Sequence, residues 1–149
     1  YCHYGSTQEI FKEIINDFMS QQNDIFSEKI AKKQSAKKIL EDVLEKYKVE
    51  MLDNQSSLSL AIYEYFSIKD NAETKNELYV QYLASFNAWQ NLLEYGIKNG
   101  EFNNVDIKSV FDLIIFSYQG VRMYSKLMPI DEDIPQRIIE QIKKIIVKE

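Results

Sequence analysis

Apolar residues recur along the chain at intervals of three and four, the period of helices that bury one face. The first stripe is Ile10, Phe11, Ile14, Ile15, Phe18, Ile25, Phe26 and Ile30, and it predicts a helix from about Thr7 to about Ala31. Ser6 and Glu9 form a capping box ahead of it, the serine accepting from a first-turn amide while the glutamate reaches back. A second helix starts at the cap Ser35 and carries Ile39, Leu40, Val43, Leu44, Tyr47 and Met51, until Asp53, Asn54 and Gln55 break the pattern. A third, from about Ser57 to about Ile68, is apolar on most sides and so belongs in the middle of the domain. The fourth opens near Asp70 and Glu73, with Leu78, Tyr82, Phe86, Trp89 and Leu93 as its stripe. It should stop near Asn99, because Gly100 tolerates the positive φ of a C-terminal cap. Asp106 caps the fifth, whose stripe runs Val110, Phe111, Leu113, Ile114, Ile115, Tyr118, Val121 and Leu127 before Pro129 stops it. Asp133 caps the sixth, Pro135 fits its first turn, and Ile138, Ile139, Ile142, Ile145 and Ile146 form its stripe.

Six helices and no strand pattern predict an all-α fold. The length, 149 residues, suits one domain with a sizeable core. Only 4 Gly and 2 Pro occur, too few for the tight turns of a sandwich or barrel. A single Cys excludes a disulfide framework within the chain and suits a reducing compartment, so the expected location is the cytoplasm. No apolar run approaches the roughly 18 residues of a membrane span, and no membrane partner is expected. The formal charge of −5 argues against a nucleic-acid surface spread over this chain.

Catalytic chemistry finds little to work with. The one His, His3, precedes the first helix, so the Glu-x-x-His pairs of a two-metal bundle are missing. Any Ser–His–Asp or Cys–His nucleophile would have to use the same residue. No glycine-rich phosphate loop is present. Neither enzyme activity nor a cofactor or metal is expected. Glu9 with Glu13, and Glu41 with Glu45, place carboxylates on shared faces as ordinary surface charge, and Lys32, Lys33, Lys37 and Lys38 read as a solvated turn.

Aromatic content changes the picture more. Eight Phe, 10 Tyr and 1 Trp describe either a bulky core or a cavity walled by rings. Tyr82, Phe86 and Trp89, spaced by four and three, should share one helix face. With Tyr63, Phe66 and Tyr47 from the two preceding helices they make a candidate ligand-binding wall, in which about half should prove to be plain core. The fifth helix is apolar over more than one face, through Phe111, Ile114, Ile115, Tyr118 and Val121. Gly120 inside it costs about 1 kcal/mol, which close approach of another helix would offset. These residues, with Ile138, Ile142 and Ile145 of the last helix, are the candidate interface of a two-fold homodimer. The alternative is an intramolecular core with Gly120 against the fourth helix.

The opening residues Tyr1-Cys2-His3-Tyr4-Gly5-Ser6-Thr7-Gln8-Glu9-Ile10-Phe11 resemble one junction in TetR-family transcriptional regulators. There the recognition helix ends and the fourth helix begins, typically as Tyr-x-x-Phe-x-Ser-Lys-Glu-Glu-Leu. Tyr1, Tyr4, Ser6, Glu9 and Ile10 match; Thr7 stands where the family commonly has a phosphate-contacting lysine. Gly96-Ile97-Lys98-Asn99-Gly100-Glu101-Phe102, followed by Asp106, is similar to the family's Gly-x-x-x-Gly-Glu-Phe turn before its two C-terminal helices. The resemblance implies that residues 1–6 end a helix-turn-helix unit, with Tyr1 and His3 on DNA phosphates. It implies that residues 7–149 form the ligand-binding and dimerisation domain, whose last two helices build a dimeric four-helix bundle. A small apolar effector bound there would control DNA binding by the helices ahead of Tyr1, as in a repressor. The rival expectation is a DNA-independent helical module that carries apolar molecules or binds other proteins.

Overall fold

The computed structural model describes residues 26–52 and 72–149, with side chains in the second stretch from Leu78 onward. They hold four helices: α1 (Ala36–Met51), α2 (Ala72–Lys98), α3 (Ile107–Tyr124) and α4 (Asp133–Ile146). Residues 26–31 add a short helical stretch before α1. The fold is all-helical; the only extended pairing among the described residues is an isolated antiparallel bridge between Phe102 and Val147. α1, α2 and α3 each pack on the other two, and α4 lies across α1 and α3. The expected helix over 57–68 and residues 7–25 of the first expected helix lie outside the described residues.

The stripes meet in one core. Ile39, Leu40 and Leu44 of α1, Trp89, Leu92 and Leu93 of α2, Phe111 and Ile114 of α3, and Ile139 and Ile146 of α4 are all shut off from solvent. Each such side chain contributes about 1.5–3 kcal/mol by leaving water.

The connection from Gly100 to Asp106 touches the ends of all four helices. At the C-terminus of α2, Gly100 takes φ +85° and donates to Ile97 O at 3.2 Å, while the amides of Glu101 and Phe102 both donate to Gly96 O at 3.0 Å. At the N-terminus of α1, the Glu101 carboxylate accepts from the Ala36 amide at 2.7 Å, from the Lys37 amide at 3.4 Å and from the Ser35 hydroxyl. It thereby satisfies orphan donors of the first turn where the helix dipole favours negative charge. At the C-terminus of α4, Asn103 donates its amide to Ile146 O at 2.8 Å and its side-chain Nδ2 to Ile145 O at 3.0 Å. At the N-terminus of α3, Asp106 accepts from the Ser109 amide at 3.3 Å and its hydroxyl at 3.0 Å. Phe102 is buried against Gly96 so closely that a Cβ there would stand 2.1 Å from Cδ2 of its ring. Only glycine fits.

Local signals are sound at Ser35, Gly100 and Asp106 and mislead at three places. α3 ends at Tyr124, short of Pro129, and Leu127 is 74% exposed rather than part of the buried stripe. Ser125 ends the helix, its hydroxyl donating to Arg122 O at 2.7 Å, so that residues 125–128 run on as tight turns. Asp133 is the first residue of α4 and not its cap. The amides of Asp133 and Ile134 are met by the side chain and carbonyl of Asp131, at 3.4 and 3.0 Å. Leu78, assigned to the buried stripe of α2, is largely exposed.

Burial pushes the Glu101 pKa up, but hydrogen bonds from Ser35, the Ala36 and Lys37 amides and Asn99 outweigh it and hold the carboxyl below its ordinary 4.5. A lowered folded value adds stability that is present above the unfolded pKa and lost as pH falls through the folded one. Glu101→Gln should therefore cost about 1–2 kcal/mol in urea melts at neutral pH. The gap to the parent should close as the solution is acidified below the ordinary carboxylate pKa.

Candidate functional site

A cavity of about 130 Å³ lies between the helical stretch 26–31, α1 and α2. Helical spacing selects its walls: Phe26 and Lys29 from the first stretch, Ile39, Asp42, Val43, Lys46 and Tyr47 from α1, and Ser85, Ala88 and Trp89 from α2. Trp89 meets Phe26 edge-on at 5.3 Å between ring centroids and Tyr47 at 6.1 Å, and its Nε1 donates to Tyr47 Oη at 3.4 Å. Beside Trp89, α2 contributes only the small Ser85 and Ala88 to the wall, and larger side chains there would fill the space. Its size matches one aromatic ring: an engineered apolar cavity of about 150 Å³ takes up benzene.

Of the six residues expected to wall a ligand, Tyr47 and Trp89 line this cavity. Tyr82 and Phe86 do not; both pack on Phe111 of α3, each with ring centroids 5.4 Å away. Lys108 sits over the same two rings, at 5.1 and 4.8 Å, and the Tyr82 hydroxyl donates to Asp112. The physical reason is that α2 is wedged between α1 and α3. A stripe spaced by four and three is divided between two neighbours, Trp89 turning one way and Phe86 the other. Tyr63 and Phe66, like Tyr1 and His3, lie outside the described residues.

Behind Tyr47 the packing continues into α3. The Tyr47 ring stacks on Tyr118 at 4.0 Å and 14°. The Tyr118 hydroxyl donates to Glu50 and accepts from Arg122 Nη1 at 3.0 Å, with the Arg122 guanidinium 4.9 Å over the ring. Burial pushes the Tyr47 phenol up to about 12. Burial raises Tyr118 as well, opposed by the charge of Arg122 and reinforced by Glu50.

The expected interface residues separate into two sets. Phe111, Ile114, Tyr118 and Ile142 are buried within this chain, which corrects their assignment to a contact surface. Ile115, Val121 and Ile138 are half-buried against the core, and Ile145 is exposed. Gly120 faces open space, with nothing within 4 Å of where its Cβ would be, so it is not packed against α2. It stands in a second, outward stripe at spacings of three and four: Leu113, Phe116, Gly120 and Tyr124, with Phe116 64% exposed. The stripe expected for this helix takes in Leu113 of the outward row but neither Phe116 nor Tyr124. The cavity residues missed from the sequence are Phe26, Lys29, Ile39, Asp42, Val43, Lys46, Ser85 and Ala88. Their one legible signal was the small pair Ser85 and Ala88 beside Trp89, facing large side chains.

Among the described residues no group of three or more His, Cys, Asp or Glu could hold a metal, and no helix is long and apolar enough to cross a membrane. A family model described as the tetracyclin repressor-like C-terminal domain matches residues 39–145, and the chain belongs to that family of regulators. No curated protein and no solved structure matches. The matched stretch includes the Gly96–Phe102 motif and begins after the junction motif at residues 1–11.

Raised phenol pKa values in the fold mean stability that is complete below the unfolded tyrosine value of 10.0 and lost as pH climbs from there toward about 12. Unfolding free energy should fall above about pH 10, by up to about 1.4 kcal/mol per pH unit for each such group. Tyr47→Phe should flatten that decline and, by removing the acceptor of the Trp89 indole, shift the tryptophan emission maximum at neutral pH.

Proposed function

We propose that the chain is the effector-binding and dimerisation part of a TetR-type repressor. In this reading residues 1–6 complete a helix-turn-helix unit and residues 7–149 respond to a small apolar molecule. The supporting observation is the cavity, because Phe26 and Lys29 in its wall sit on the stretch that leads back toward Tyr1. A molecule filling the cavity pushes on that stretch and alters the spacing of the two DNA-binding heads. The push has an effect only if the molecule binds the DNA-released arrangement more tightly than the DNA-bound one.

A second copy of the chain covers the outward stripe of α3. Gly120 at its centre permits close approach, and Ile145 on α4 extends the apolar area. This keeps the last two helices as the interface while exchanging their buried residues for exposed ones.

The test uses the full-length regulator with its DNA-binding helices on a fluorescent operator, probed with toluene, benzamide and benzoate. At least one should change the emission of Trp89, the one tryptophan of these 149 residues, with saturation. At 100 times its Kd that probe should stabilise the domain by about 2.7 kcal/mol and release the operator. Ser85→Phe, which fills the cavity, should abolish all three responses. Binding that changes emission without releasing DNA would instead favour the carrier reading. For the interface, Gly120→Arg should give a helical monomer in light scattering, since the space above Gly120 is open within one protomer.

A further inference from the structure

The mouth of the cavity carries a charge opposite to that of the chain. The protein as a whole is acidic, at −5, yet the lining contributes Lys29 and Lys46 against Asp42 alone. Asp42 is already engaged, its Oδ1 accepting from Lys38 Nζ at 2.7 Å. Neither Lys29 nor Lys46 takes part in an ion pair among the described residues. Two cations thus remain beside a cavity whose remaining walls are Phe26, Ile39, Val43, Ala88 and Trp89, with the neutral Ser85 and Tyr47 hydroxyls between.

Position along each helix explains the division into floor and lip. Lys29 follows Phe26 by three residues and Lys46 follows Val43 by three, so each lysine stands one turn along from an apolar wall residue on the same face. A lysine in such a place lays its methylenes on the apolar wall and keeps its ammonium at the water boundary. Two ammonium groups at the lip attract an anion. The apolar space of about 130 Å³ beneath admits no more than about one ring or a short chain, by comparison with a benzene-sized cavity.

We infer that this cavity takes a small amphipathic carboxylate, its aromatic or short aliphatic body against Trp89 and Phe26 and its anionic group between Lys29 and Lys46. This rests on the effector-binding reading above and adds the chemical class of the effector. A neutral amide of the same shape fills the cavity and gains nothing at the lip. An amine of the same shape meets two like charges. The discrimination is electrostatic at a wet boundary and so falls with ionic strength.

Trp89 emission titrations of the chain with benzoate, benzamide and benzylamine test this. Benzoate should bind about tenfold tighter than benzamide at low salt, with benzylamine weakest, and the gap should shrink in 0.5 M salt, because the Debye length falls from about 30 Å at 0.01 M to below about 10 Å above 0.1 M. The double variant Lys29→Gln, Lys46→Gln should bind benzoate and benzamide equally, and Lys46→Arg should keep part of the preference. Both lysines lie at the surface of the cavity, and circular dichroism checks that the variants stay helical. Benzamide or benzylamine binding as tightly as benzoate to the parent would overturn the carboxylate assignment and leave the pocket standing. If none of the three, nor toluene, moved Trp89 emission, the pocket reading itself would fall and the assignment with it.

Discussion

The fold depends on how one short connection satisfies helix ends. Every helix leaves amides unpaired at its start and carbonyls at its end, and burying them unpaired costs more than most contacts return. Here Gly100–Asp106 meets such groups on four helices within seven residues. The Glu101 carboxylate serves α1, the Asn103 side chain serves α4, Asp106 caps α3, and the positive φ of Gly100 closes α2. Gly96 makes the arrangement compact by leaving room for the Phe102 ring. The family motif is therefore a structural one: each of its defining residues joins two helix ends or permits such a joint.

Fixing the helices at one end leaves the other free to differ. α1 and α2 are antiparallel and both extend away from the connection, so that Tyr47 and Trp89 lie side by side about ten residues, or roughly 15 Å, from the pinned ends. At that distance small residues on α2 no longer threaten the frame. Ser85 and Ala88 leave a space that larger side chains would have closed, and the rings around it rest on other rings: Tyr47 on Tyr118, Trp89 on Phe26.

Caps, helix period and the connecting motif were legible in the sequence because each is decided within a few residues. Ser35, Gly100 and Asp106 act on their own turns, and the structure has them where the local chemistry placed them. The end of α3 was not legible, because Ser125 and its bond to Arg122 O compete with a proline four residues further on. Sequence spacing grouped Tyr82 and Phe86 with Trp89, but which neighbour each ring meets depends on where α1 and α3 lie. Phe111, Ile114 and Tyr118 looked like an interface for a related reason: burial inside one chain and burial between two select the same apolar period. The small residues of the cavity wall gave the weakest signal, since what they contribute is absence of volume.

The bond between Glu101 and the start of α1 joins residues 65 positions apart. Closing so long a span is an entropic cost that grows only with the logarithm of its length, by about 0.6 kcal/mol for each doubling. A bond of this reach therefore costs the chain only a little more than one spanning half the distance. None of the residues that line the cavity takes part in it. Substitutions can accordingly reshape the cavity wall while the bond that frames the domain stays as it is.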